Sequence, residues 1–162
     1  MIPTSTILFL PDETARGTRF SIRLKDGRYA FGRILKNPLC AFYRRVNDQV
    51  VDVDEIARDP IGFKVWVIDS AFKQPNWRVV GFRSLEPELR ERAWSFKEDP
   101  ISKALSLYSE GEERPASERE CENVERAAVW SAGHIEDRLI HYFNGTQAKW
   151  HESMKLKRGG GG

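Results

Sequence analysis

Four polar residues near the C-terminus have types and spacing that chemistry could use. His134, Asp137, Arg138 and His141 are offset by three, four and seven positions, so on a helix they share one face. Two imidazoles and a carboxylate could ligate a metal or move protons. Arg138 sits inside the group and would repel a cation, and no cysteine or further histidine lies at ligand spacing, so no metal is expected. The simpler reading is a solvated helix face. Nucleophilic chemistry has less support, because no Gly-x-Ser-x-Gly elbow occurs. Cys40 lies in the apolar run Leu39–Phe42 and reads as a small core residue. Cys121 stands among Glu118, Glu120 and Glu122, whose charges would suppress a thiolate. No Walker or Gly-x-Gly-x-x-Gly motif is present, so no phosphate cradle is expected. These readings give no catalytic residues, no cofactor and no enzymatic activity as the expectation.

Charge is distributed more unevenly than the net +2 suggests. Residues 13–45 carry nine Lys and Arg against two acids, residues 46–69 six acids against two cations, and residues 100–126 seven Glu against four cations. Such asymmetry speaks of partners and association, not of fold. Arg19, Arg23, Lys25 and Arg28 form a basic face, with Arg44 and Arg45 downstream, and are the candidate nucleic-acid contacts. Against that stands a pI near 8.6, low for a basic domain, and the neighbouring acids that could neutralise the face internally. Asp48, Asp52, Asp54, Glu55 and Asp59 are the candidate contacts for a basic protein partner, where complementary charge speeds docking. The simpler reading is a set of helix-start acids that aid solubility. Trp150, in a polar stretch, is the tryptophan most suited to anchor a partner, whereas Trp66 should be buried.

Several elements must position these groups. Residues 18–25 alternate apolar and polar as a strand does, Asp26–Gly27 is a two-residue hairpin signal, and residues 28–35 return. That turn pairs Leu24 with Tyr29, Ile22 with Phe31 and Phe20 with Arg33, giving one buried apolar face and one face carrying Arg19, Arg23, Lys25 and Arg28. Gly32 within the strand implies a close backbone approach. Further strands are expected at 39–44, 62–69, 77–82, 94–97 and 105–109, with short helices at 52–58 and 86–92. Residues 110–119 read as a loop. A helix is expected over about 132–143, capped by Ser131, stopped by Asn144–Gly145 and buried along Ile135, Leu139, Tyr142 and Phe143. Residues 146–158 read as a basic tail and 159–162 as a disordered glycine tail. The expected fold is one α+β domain over 1–158. Its strongly bent antiparallel sheet is compatible with an SH3-like partial barrel.

Length and the 9 Phe, 5 Trp and 4 Tyr exclude an intrinsically disordered composition. Apolar runs are too short for a membrane helix, and the first ten residues hold no Lys or Arg, so neither a membrane partner nor a secretory signal is expected. With two distant cysteines, the expected location is the cytoplasm.

Asp26–Leu35 resembles the opening hairpin of the immunity protein 26 family, and Phe63–Asp69, Asp99–Ser102, Glu125–Trp130 and His134–Leu139 are similar to later parts of it. The resemblance spans roughly residues 16–152. At Arg23 the chain departs from the family's proline, which adds a charge to the exposed face. The resemblance implies a bacterial immunity protein that binds and neutralises the cognate toxin of a polymorphic toxin system. It brings no catalytic residues. A nuclease is one toxin class that would suit the acidic residues, and a small nucleic-acid-binding module is the alternative reading.

Overall fold

Asp26–Gly27 does turn the chain, but the loop is one residue longer than the dipeptide predicts. Gly27 N donates to Leu24 O at 2.9 Å and Leu24 N to Arg28 O at 2.8 Å, so Lys25, Asp26 and Gly27 form a three-residue loop with Gly27 at φ +89°. In this computed structural model, which describes residues 16–157, the flanking strands are β1 (Thr18–Arg23) and β2 (Tyr29–Ile34). The extra residue shifts the register by one. Phe20 faces Gly32, Ile22 faces Ala30 and Arg19 faces Arg33. Side chains alternate with period two, so the shift moves Tyr29 and Phe31 to the sheet face opposite Ile22 and Leu24. The expected single face of Ile22, Leu24, Tyr29 and Phe31 is thereby corrected.

The chain continues through β3 (Leu39–Asn47), α1 (Val53–Ile56), β4 (Ile61–Val67), a 3-10 turn (Asp69–Lys73), β5 (Trp77–Phe82) and α2 (Pro87–Arg90). Then come β6 (Ser95–Glu98), β7 (Leu105–Ser109), β8 (Glu112–Pro115), α3 (Glu118–Cys121), β9 (Glu125–Arg126), β10 (Val129–Trp130), α4 (Ala132–Asn144) and α5 (Lys149–Met154). Two sheets result, with strand orders β10-β4-β3-β2-β1-β5 and β8-β7-β6-β9. Neighbours are antiparallel except β10 beside β4 and β9 beside β6. The α+β class stands. The strands divide into two sheets and close no barrel. The expected glycine tail at 159–162 lies outside the described residues.

One face of the larger sheet is an aromatic core. Phe20 stacks on Trp77 at 5.4 Å and meets Phe72 and Phe42 edge-on at 5.2 and 5.9 Å. Gly32 makes this possible, since a Cβ there would lie 2.4 Å from the Phe20 ring. Ile135 and Leu139 of α4 close the same core. The helix begins as its sequence predicts: Ser131 Oγ accepts from His134 N at 3.3 Å, and Gly145 ends it at φ +70°. Tyr142 at its far end is exposed, and Arg138 takes a buried place instead.

The smaller sheet packs Phe96, Leu105, Leu107 and Cys121 together. Residues 110–119, read as a loop, supply its edge strand. Glu110 and Gly111 turn at positive φ and Glu112–Pro115 pairs with β7. All four strand residues are exposed, so no apolar alternation marked them. Their carboxylates pair with cations beyond β7, Glu112 with Arg92 ahead of β6 at 2.7 Å and Glu113 with Lys97 of β6 at 3.1 Å. The basic tail likewise contains a helix, α5. Trp66, expected in the core, is half-buried against Tyr108 at 5.7 Å, while Trp77 and Trp130 are buried.

Candidate partner-binding surface

The acidic residues lie where the chain crosses from β3 to β4. Ile56 is buried against Phe31 and Tyr43, which pins the single turn of α1 to the sheet. A side chain three positions from another shares its helix face, so anchoring Ile56 turns the preceding acids to solvent. Asp54 and Glu55 are 76% and 55% exposed at the side chain. Asp52 Oδ1 accepts from Asp54 N at 2.8 Å, an N-terminal cap that rigidifies the turn. Asp48 is exposed just beyond β3.

These carboxylates are partly neutralised from within. Arg45 bridges Glu55 at 2.9 Å and Asp59 at 3.2 Å, and Arg83 reaches Asp54 at 3.2 Å. Burial raises the Asp59 pKa, with Glu55 adding to the rise and Arg45 opposing it. Asp59 is thus the inner member of the group, and Asp48, Asp52, Asp54 and Glu55 make its outward part.

The basic face does not survive as a unit. Arg23 and Lys25 are exposed. Arg28 is tied to Asp26 at 2.6 Å and to Asn144 at 2.9 Å, with Asp26's pKa drawn down chiefly by the Arg28 side chain. Arg19 is buried, on the face that α1 and the segment after β5 cover. Its strand position is the expected one, but that face is covered and not solvated. Beside it Arg33, also buried, donates to Glu86 Oε2 and to the carbonyls of Arg83 and Ser84. Arg33, Arg83 and Glu86 were not singled out from sequence. The available signal was a lone arginine inside the otherwise apolar strand Tyr29–Leu35.

The histidine group separates. His134 stacks on Trp150 at 4.3 Å and 11°, so Trp150, 40% exposed, is half engaged within the chain. His141 lies 3.5 Å from Asp137 and 2.6 Å from Thr146. Arg138 points inward and grips Glu125 with both terminal nitrogens at 2.8 and 2.9 Å. Its guanidinium lies 3.8 Å from the Phe63 ring centre and 5.1 Å from that of Trp130. Among the described residues no three His, Cys, Asp or Glu side chains gather as metal ligands do. Cys40 is buried, and burial pushes its thiol pKa well up. Between the two sheets a cleft of about 350 Å³ is lined by Leu39, Trp66, Tyr108, Lys36, Arg90 and Glu110. Among the described residues no helix is long and apolar enough to cross a membrane.

Fold and surface together define a small α+β protein that presents an acidic turn anchored through Ile56 on a sheet scaffold. The chain belongs to the immunity protein 26 family, whose model matches residues 15–107, from β1 into β7. No curated protein and no solved structure matches it. The matched region contains the hairpin, α1 and both buried arginines of the larger sheet. The similar-looking segments from Glu125 onward lie beyond it.

Proposed function

We propose that this protein neutralises a cognate polymorphic toxin in the bacterial cytoplasm by stoichiometric association, without turnover, and that Asp48, Asp52, Asp54, Glu55 and Asp59 are its main partner contacts. Family membership supports the toxin as partner. The observation that carries the surface is the α1 turn, where buried Ile56 and the Asp52 cap hold Asp54 and Glu55 outward in fixed positions. A toxin that attacks nucleic acid needs a cationic surface for phosphates, and preset carboxylates complement it. Fixed charges lose less side-chain entropy on docking than mobile ones do.

The test pairs the protein with the toxin encoded beside it. Replacing Asp52, Asp54 and Glu55 by Asn, Asn and Gln should slow association roughly tenfold at low salt, with a smaller effect as salt rises. Replacing Arg23, Lys25 and Arg28 by Gln should change the rate less. The reverse ranking would place the contact on the basic hairpin. In co-expression, protection should require at least equimolar protein. Rescue at sub-stoichiometric levels would show an enzyme acting on the toxin instead.

A further inference from the structure

Arg19 and Arg33 face each other across β1 and β2, on the face of the larger sheet turned away from the aromatic core. Both are essentially inaccessible, at 1% and 0% exposure. Arg33 is well met: Glu86 and the carbonyls of Arg83 and Ser84 accept from its terminal nitrogens. Arg19 is not. Its Nε, Nη1 and Nη2 are buried, and none has an acceptor among the described residues. Arg33 Nε and Tyr43 Oη share that condition, and Glu86 Oε1 is buried with no hydrogen bond, held by the Arg83 ion pair at 3.2 Å. Tyr43 lies on the same face, two residues beyond the Ala41 that pairs with Arg33, and is close enough to act electrostatically on Arg19.

The charge balance is as uneven as the hydrogen bonding. Arg19, Arg33 and Arg83 bring three positive charges. Glu86 meets Arg33 and Arg83, and Asp54 meets Arg83, so two negative charges answer them. Arginine does not release its proton at neutral pH, even though burial, and after it the Arg33 charge, pull the Arg19 pKa down. Water could satisfy the N–H groups but could not supply the missing charge.

We infer that Arg19, with Arg33 Nε and Tyr43 Oη, forms a binding site for one small monovalent anion of the halide type. A single negative charge closes the balance, and the unmet groups of Arg19, Arg33 and Tyr43 are all N–H or O–H donors, while Glu86 stays engaged by Arg33 and Arg83. A polyanion such as phosphate would overshoot the charge. This site is separate from the toxin-binding surface proposed above, although Arg83 links its surroundings to α1 through Asp54.

The experiment uses the full chain, with sodium gluconate exchanged stepwise for sodium chloride at constant ionic strength. Thermal unfolding and the chloride NMR linewidth are read together. The expected result is a saturable rise in Tm of several degrees, and chloride broadening that bromide competes away. Both responses should vanish in Arg19→Met and persist in Arg23→Met, which removes an exposed arginine of the same strand. Should Arg19→Met fail to fold, broadening and bromide competition on the unaltered chain decide alone. A flat Tm with unbroadened chloride overturns the site, as does an equal response in both variants. Asp12 and Glu13, outside the described residues, are the chain's own alternative source of one negative charge. A chloride response seen only in Asp12→Asn/Glu13→Gln, and absent from the unaltered chain, would assign the counter-charge to them and refute the anion site.

Discussion

Arg138 and the Arg19–Arg33 pair show two ways in which this protein buries arginine. Arg138 is enclosed by rigid elements: its carboxylate comes from β9, and its flanking rings from β4 and β10. The contact joins α4 to both sheets with one charge pair and two ring faces. The other pair lies within a single sheet, and its carboxylate, Glu86, comes from the segment between β5 and α2. There only Arg33 is met by a carboxylate, and four of the six guanidinium nitrogens have no acceptor among the described residues. The contrast teaches that a buried cation can serve as a joint between layers or as an unfinished site. What decides is whether the surrounding elements deliver a matching carboxylate.

Breaking the complete joint should cost most. Glu125→Leu removes the partner of a buried guanidinium, and a loss of about 3 kcal/mol in chemical denaturation is expected. A loss below half of that would mean Arg138 is held by its ring contacts alone. Arg33→Met is expected to cost less, about 2 kcal/mol, because three acceptors lose their donor while the repulsion on Arg19 is relieved. If it proved costlier than Glu125→Leu, the ranking of the two sites would be inverted.

A smaller, pH-dependent effect sharpens the picture at Arg138. His151 packs edge-on to Trp130 at 6.1 Å, and burial first, then the Arg138 charge, lowers its pKa. Its proton therefore binds the unfolded chain more readily than the folded one. The stability this neutral imidazole contributes is present above the ordinary value of about 6.5 and lost as pH falls through the folded pKa. Denaturation midpoints at about pH 7 and about pH 5 should differ less in His151→Gln than in the unaltered protein. Equal differences would show that His151 does not carry this pH dependence. Smallest of all, Arg28→Ala removes surface pairs with Asp26 and Asn144 and should change stability by no more than about 0.5 kcal/mol. A larger loss would make the hairpin tip a structural joint in its own right.

Much of this architecture was readable because its causes are local. Alternation marked β1, the glycine turn marked β2 as its return, near-continuous apolarity marked β4, and Ser131 and Gly145 bounded α4 through caps that depend only on nearby backbone. Gly32 announced the close approach that the Phe20 ring makes. β8 was not readable, since it is held by pairing with β7 and by the distant cations Arg92 and Lys97, and all its side chains are exposed. The candidate acids were legible as a group, while their division into outward Asp54 and inner Asp59 followed from where Ile56 is anchored.

By itself, the sequence determined that the chain is α+β, that a glycine turn joins its first two strands, and that a capped helix follows Ser131. Those outcomes rest on backbone preferences and on periods felt within a few residues. Only the tertiary structure decided which arginines are inside. Arg19 and Arg23 look alike along β1, and Arg138 looks like one more member of a polar helix face. Their fates depend on what lies over each position: the segments around α1 and α2 over Arg19, solvent over Arg23, and Glu125 with the Phe63 and Trp130 rings around Arg138. Burial of a charge is settled by distant chain that covers it and by whether that chain brings a counter-charge. Neither is written in the neighbouring residues.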